Sequence, residues 1–542
     1  MKNIRKKIIV LLATMGMVTF GCDNSLEEVV YSDITEQNFD FGKTDYLSVV
    51  GAAYVPLRNL WVMTQYYTAQ ETSSDIVVMP ANLAGGWDDG GVYRRMHLHE
   101  WNTEQAHVGN MWREFYRGVI ATNRVLEQID GGLVVFDEPT REDAVRAELR
   151  TLRALYYWLI LDNFGDAPLI TTTATDELPG NVSRDELFEF AVSEIIASLP
   201  SLSEDSDPVM YGRMNKWGGK ALLANIYLNA EVYTGTAAWD GVLEQTNDII
   251  ESGRYRLDDN YRDVFATENS GSPEIIFAIP FDETLATGLY THLFSWHTSL
   301  ARKFNLQQAP WGTGSAKGIP QFIDTYHEHD MRLADTWLLG AQTMPDGAPL
   351  MGVFDKAGEP LVFENRMANG IKVSESEGYR MNKFEVRQGA QYYLSNDFPF
   401  FRYAQVLMMR AEALLKTNRA NEAATLVTEV RERAFKEHPS SATVTGGELQ
   451  ENSDYRYGYV EDYEIVDAGN TEPITYGRFL DELGWEFAWE AHRRRDLIRF
   501  GVFTKKSWLS HKPTGDYRAV FPIPQDIVNT NPNLEQHPEY IN

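Results

Sequence analysis

Indole rings placed outside regular structure offer flat apolar faces, and three tryptophans of this chain stand in such places. Trp87 lies between the glycine pairs Gly85–Gly86 and Gly90–Gly91, next to Asp88 and Asp89. Trp296 falls in the run YTHLFSWH, and Trp311 stands between Pro310 and Gly312. A sugar ring has C–H faces and a hydroxyl rim, so loop indoles flanked by polar side chains suit its recognition. An indole that loses roughly 100 Å² of apolar area contributes about 2–3 kcal/mol before entropy costs. Two or three such platforms give roughly micromolar to millimolar affinity. Tyr290 and Tyr93 are weaker candidates of the same kind. Trp112, Trp158, Trp217, Trp239, Trp485 and Trp489 recur at helical spacing and are expected in the core.

Other clusters invite catalytic readings that their spacing does not support. His327, Glu328, His329 and Asp330 are adjacent, whereas metal-ligating histidines on a helix stand four apart, so a solvated polar turn is expected. His97 and His99 would share a strand face, which permits a metal without indicating one. Gly312, Gly314, Lys317 and Gly318 have the look of a phosphate loop, but no strand leads in and Gly follows the lysine. Acidic residues are numerous enough for a glycosidase pair, a chemistry that depends on a carboxylate separation no sequence measures.

The ends of the chain bear on where these groups work. Lys2, Arg5, Lys6 and Lys7 precede the apolar run Ile8–Phe20, too short to span a membrane and suited to a secretory signal. Cys22, the only cysteine, follows Gly21 directly, which reads as cleavage and acylation of a bacterial lipoprotein, with Thr19 and Phe20 departing from the usual lipobox. Removal of residues 1–21 leaves 45 basic against 78 acidic residues, a net charge of −33 that repels phosphate backbones and excludes nucleic acid as a partner. Residues 22–45 then form an acidic tether.

The elements that must position the loop aromatics are helical. In Phe401–Phe435, Tyr403, Leu407, Ala411 and Leu414, then Ala423, Leu426, Val430 and Ala434, recur at three- and four-residue steps. With the polar break Lys416–Asn421 between them, this is a helical hairpin of tetratricopeptide length. One hairpin cannot bury its own face. Lys216–Tyr233 with Ala238–Ser252 supplies a second, and helices are expected over Asn110–Ile129, Arg141–Phe164 and from a Ser183/Glu186 capping box to Leu199. Asp45–Trp61 is helical until Pro56, and Thr68–Glu100 reads as a loop. From Tyr255 to Pro399 the helical period is mostly lost, with strand-like runs at Glu274–Ile279 and Pro360–Phe363, and such a stretch inside a helical protein usually carries function. Pro439–Thr475 is a Tyr-rich, acidic insertion before a closing helix over Tyr476–Phe500.

Four segments in register resemble the SusD/RagB family. They are ELRTLRALYYWLILDNFGDAPLIT, NKWGGKALLANIYLNA, LDELGWEFAWEAHRRRDLIRFG and FPIPQDIVNTNPNLEQHPEY, and the likeness extends over nearly all of residues 22–542. The resemblance implies a mostly α fold, a tetratricopeptide-like scaffold over about 46–255 and 400–542 carrying an irregular, loop-rich lobe with short strands over about 256–399. It implies a non-catalytic lipoprotein of the outer membrane, facing the exterior, which binds an oligo- or polysaccharide (expected to be neutral) and hands it to a SusC-like TonB-dependent transporter. The family's glycan site, built from one N-terminal loop and loops of the irregular lobe, is where Trp87, Trp296 and Trp311 fall. By the same likeness Asp75, Asp88 and Arg94 are polar candidates. No cofactor is expected, and a structural calcium ion is not indicated. A peptide or other nutrient on the same scaffold is the alternative ligand, and a surface glycoside hydrolase the alternative activity.

Overall fold

A computed structural model describes residues 46–541 apart from 87, 175–176 and 313–314, and Tyr46–Asn542 forms one compact unit. The signal sequence, Cys22 and the acidic tether therefore lie outside the described residues, as does Trp87.

Two short helices, α1 (Tyr66–Thr72) and α2 (Val92–Leu98), overlap the stretch Thr68–Glu100 expected to be a loop. All seven residues of α1 are buried, Gln70 and Glu71 included, so it has no polar face whose period a sequence could show. His97 and His99 accordingly sit at the end of a helix and not on a strand. Pro56, expected to interrupt a helix, occupies the first turn of the short helix Val55–Asn59, where its missing N–H costs nothing.

The scaffold follows as helices α3 (Ala106–Asp130), α4 (Pro139–Phe164), α5 (Arg184–Ser198), α6 (Lys216–Leu228) and α7 (Trp239–Glu251). Every residue of α4 from Thr151 to Phe164 is buried, sandwiched between α3 and α5. Its approach to α3 requires Gly118, where an added Cβ would lie 2.1 Å from the Tyr156 ring. The Ser183/Glu186 capping box opens α5, and Gly165, at φ 72°, ends α4.

The irregular lobe contributes strand β1 (Ile275–Ile279), which pairs antiparallel with β2 (Phe398–Arg402), and β2 runs straight into α8 (Tyr403–Lys416). Helix α9 (Ala420–Glu432) closes the hairpin, and α7 packs on α8 so that two hairpins share one core. Elsewhere in the lobe the strands are two-residue pairs, Val362–Phe363 with Gly340–Ala341 among them.

The closing segment is two helices where one was expected, α10 (Gly477–Phe487) and α11 (Arg493–Arg499). Between them Trp489 and Ala491 take left-handed backbone angles, φ 67° and 62°. Side chains from elsewhere replace the missing helical hydrogen bonds. Lys383 Nζ donates to the carbonyls of Glu486 and Ala488, Tyr67 Oη to that of Trp489, and Glu71 Oε1 accepts the Ala491 N–H at 2.7 Å.

Around this break ten buried charged groups alternate. Arg402 bonds Glu274, Glu486 and Glu490, each at 2.7 Å. Arg433 bridges Glu274 and Glu486, Lys383 meets Glu490, Arg332 meets Asp330, Glu482 and Glu486, and Arg431 meets Glu482. Burial pushes the Glu486 carboxyl up, but Arg433 and Arg402 outweigh it and hold it down at about 2. Asp330, Arg332, Lys383 and Glu274 belong to the irregular lobe and the rest to β2 and the C-terminal helices, so the network bolts the lobe to its scaffold.

Candidate functional site

Tyr290 is the hub of a cluster of aromatic rings on the irregular lobe. Its ring centroid lies 6.0 Å from that of Trp311, 5.6 Å from Tyr392 and 5.8 Å from Tyr393, with interplanar angles of 70°, 53° and 62°. Tyr392 and Tyr393 are themselves 4.8 Å apart. Main-chain hydrogen bonds set these positions. The Leu394 N–H donates to the Leu289 carbonyl at 2.7 Å, laying the two tyrosines beside Tyr290, and the Trp311 N–H donates to the Leu293 carbonyl at 2.9 Å. The rings tilt against one another, so together they form a curved apolar wall. Trp311 is half-buried and Tyr392 is 39% exposed, while Tyr290 and Tyr393 back them.

An N-terminal segment meets the wall from the other side. Tyr290 Oη accepts the Met63 N–H at 2.6 Å. Thr64 follows with φ 55°, a left-handed conformation that is costly for a β-branched residue and gathers at functional sites. Asn110 of α3 holds it there, its Nδ2 donating to the Thr64 carbonyl at 2.9 Å and to Oγ1 at 3.2 Å. Tyr93 of α2 is buried nearby, and burial, then Asp89 and Tyr290, push its phenol far up. Burial likewise raises Tyr290 and Tyr392, so these phenols are neutral hydrogen-bonding groups at ordinary pH. Arg94 of α2 pairs with Asp88 at 2.7 Å, both half-exposed, in the segment that follows Trp87.

Two sequence candidates have other work. Trp296 is 1% exposed, its Nε1 donates to the Met381 carbonyl at 2.6 Å and its ring packs on Phe304 at 4.6 Å, so it offers no face to a ligand. The sequence placed it in a loop, but it follows the short helix Thr291–Ser295 and faces inward. Asp75 is fully buried, with Oδ1 and Oδ2 taken by Arg493 at 2.7 and 3.0 Å and Oδ2 also by Tyr457. It is a clamp between the N-terminal segment and α11. Neither reads as a ligand group. Sequence reasoning passed over Tyr392 and Tyr393, although two adjacent tyrosines three residues past Gly389 were a visible signal, and it had none for Thr64 and Asn110.

The catalytic temptations are structural where they are described. Lys317 is buried with Nζ donating to the carbonyls of Glu377 and Ser374, and Lys317–Gly318 pair with Val77–Val78. His329 stacks on His438 at 3.7 Å. Among the described residues no group of three or more His, Cys, Asp or Glu side chains could hold a metal ion.

Comparison with known proteins bears on the fold and the family. A family described as the SusD family matches residues 251–540, and one described as "starch-binding associating with outer membrane" matches 44–228. The starch-binding protein SusD of Bacteroides thetaiotaomicron is 27% identical over 73% of this chain and 72% of its own. SusD-like protein P25 of Formosa agariphila is 23% identical over 95% of both. Among solved structures, surface glycan-binding protein A of Bacteroides thetaiotaomicron in complex with laminarihexaose superposes with a TM-score of 0.66 at 19% identity, over 91% of this chain and 98% of the other. A surface glycan-binding protein A from Bacteroides uniformis gives 0.68 at 18%, with the same coverage. The mostly helical fold with small sheets is thus that of its structural neighbours, and the chain belongs to the SusD family.

Proposed function

We propose that the protein is a cell-surface lipoprotein that captures an oligo- or polysaccharide without turning it over and delivers it to a SusC-like TonB-dependent transporter of the outer membrane. The observation that carries this reading is the accessible pair Trp311 and Tyr392, backed by Tyr393 and the buried Tyr290, whose apolar faces and neutral phenol match the two sides of a sugar ring. By the family likeness Trp87, Asp88 and Arg94 are further candidates to meet the same ligand. The names of relatives support the ligand class: one is a starch-binding protein, one neighbour holds laminarihexaose, and another is a laminarin-binding SusD-like protein. They are named for binding, which supports a role without catalysis. Acylation at Cys22 supplies the anchor.

Affinity electrophoresis of the protein in gels containing starch, laminarin and other polysaccharides tests the reading. Retardation by one polymer is expected, with Trp311→Ala and Tyr392→Ala each weakening it about ten- to a hundredfold. Retardation that survives both substitutions unchanged would show that the glycan is held elsewhere.

A further inference from the structure

A second feature is a cavity of about 220 Å³ lined by Tyr54, Leu57, Arg58, Gly212, Arg213 and Pro280 among others. Its walls are mostly apolar, and none of the residues that line it is acidic. Two arginines are present, and they differ. Arg213 is fully matched, its Nε and Nη2 donating to Glu148 at 3.0 and 2.5 Å, while Tyr54 Oη donates to the same carboxylate at 2.6 Å. Arg58 is half-buried, and among the described residues its guanidinium forms neither a hydrogen bond nor an ion pair. In a chain with 78 acidic and 49 basic residues, a part-buried cation left without a carboxylate is a conspicuous surplus of positive charge. A guanidinium presents five donors in a planar fork that matches carboxylate and sulfate oxygens, and apolar walls strengthen such a pair.

The cavity is also within a glycan's reach of the wall. The Arg58 carbonyl lies 3.3 Å from where a Cβ would stand on Gly288, two residues before Tyr290, so the main chains of Arg58 and Tyr290 are on the order of 10 Å apart. The same segment continues to Met63, which donates to Tyr290 Oη.

We propose that the cavity beside Arg58 receives the carboxylate or sulfate group of an acidic sugar unit, so that the captured polysaccharide is anionic. This rests on the glycan-binding reading above. It departs from the neutral ligand expected from the sequence. The aromatic wall holds ring faces, and Arg58 selects chains that carry a charge at the right distance.

The test is thermal unfolding of the full chain and of Arg58→Gln with free anions, which do not depend on the aromatic wall. Sodium glucuronate is compared with glucose plus sodium chloride, and sodium sulfate with sodium chloride at equal ionic strength. Sulfate's general stabilising effect is common to both proteins, so the readout is the difference between them. At anion concentrations about tenfold above Kd the wild type gains a shift of about one degree that Arg58→Gln lacks and Arg58→Lys partly restores. A difference with glucuronate alone assigns a carboxylate, and one with sulfate alone a sulfate ester. Equal shifts in wild type and Arg58→Gln with both anions overturn the proposal. Trp311→Ala separates the two readings: it is expected to keep the anion shift while losing polysaccharide retardation, and unchanged retardation there would count against the aromatic site only.

Discussion

Asp75 shows how a single residue type admits two readings that only its surroundings separate. As a ligand group its loss would weaken glycan binding and leave stability alone. As the fully buried partner of Arg493 it does the reverse, because removing one member strands the other charge in the interior. Asp75→Ala is therefore expected to cost about 3–5 kcal/mol in denaturant unfolding. At temperatures where it stays folded, its polysaccharide retardation should match the wild type. Asn110→Ala is expected to behave differently. It frees Thr64 from its left-handed conformation, so the Met63 N–H leaves Tyr290, and retardation should fall with little change in melting temperature. A large loss of stability with intact retardation would recast Asn110 as a structural residue.

Among the elements, the break between α10 and α11 has a measurable pH signature. Burial pushes the Glu71 carboxyl up to about 8, against a usual value near 4.5, while its Oε1 holds the Ala491 N–H. An acid whose folded pKa lies above its unfolded one stays protonated in the native state while the unfolded chain ionises. Stability therefore falls as pH rises from about 4.5 to about 8 and is flat beyond. Glu71→Gln keeps the acceptor and removes the titration, so calorimetry should find its melting temperature above that of the wild type at pH 8 and close to it at pH 5. The opposite order at pH 8 would mean that Glu71 is ionised and paired. The same break explains what was legible in the sequence. The hairpins, the Ser183 cap and the stop at Gly165 declare themselves through local period and local chemistry. The interruption after Phe487 does not, since it is made by Lys383, Tyr67 and Glu71, each distant in the chain. Helix α1 was missed because burial on all sides removes the alternation that marks a helix. The aromatic wall was half visible: Trp311 and Tyr290 stood out as loop aromatics, but only the fold brings Met63, Tyr290, Trp311 and Tyr392 together. Trp296 looked like them and turned inward.

For the whole molecule, the strong negative charge and the proposed anchor at Cys22 bear on where it would work. Cys22→Ser is expected to abolish palmitate incorporation and release the protein from the outer-membrane fraction. A membrane-bound, palmitate-labelled Cys22→Ser protein would refute the anchor. If the ligand is anionic, as Arg58 suggests, the net charge of −33 left after removal of residues 1–21 opposes its approach, and raising salt should first speed capture by screening that repulsion. Stopped-flow fluorescence across a salt series would show this.

The buried lattice of Arg402, Glu486 and their partners has a consequence for inheritance. It holds lobe to scaffold through Glu274, Asp330, Arg332 and Lys383, none of which stands in the segments that carry Trp311 or Tyr392. Those segments can drift in sequence, lengthen or be exchanged between lineages without touching what keeps the body whole. A descendant could thus acquire a taste for a new polymer by rewriting two short stretches while the rest of the gene stands still.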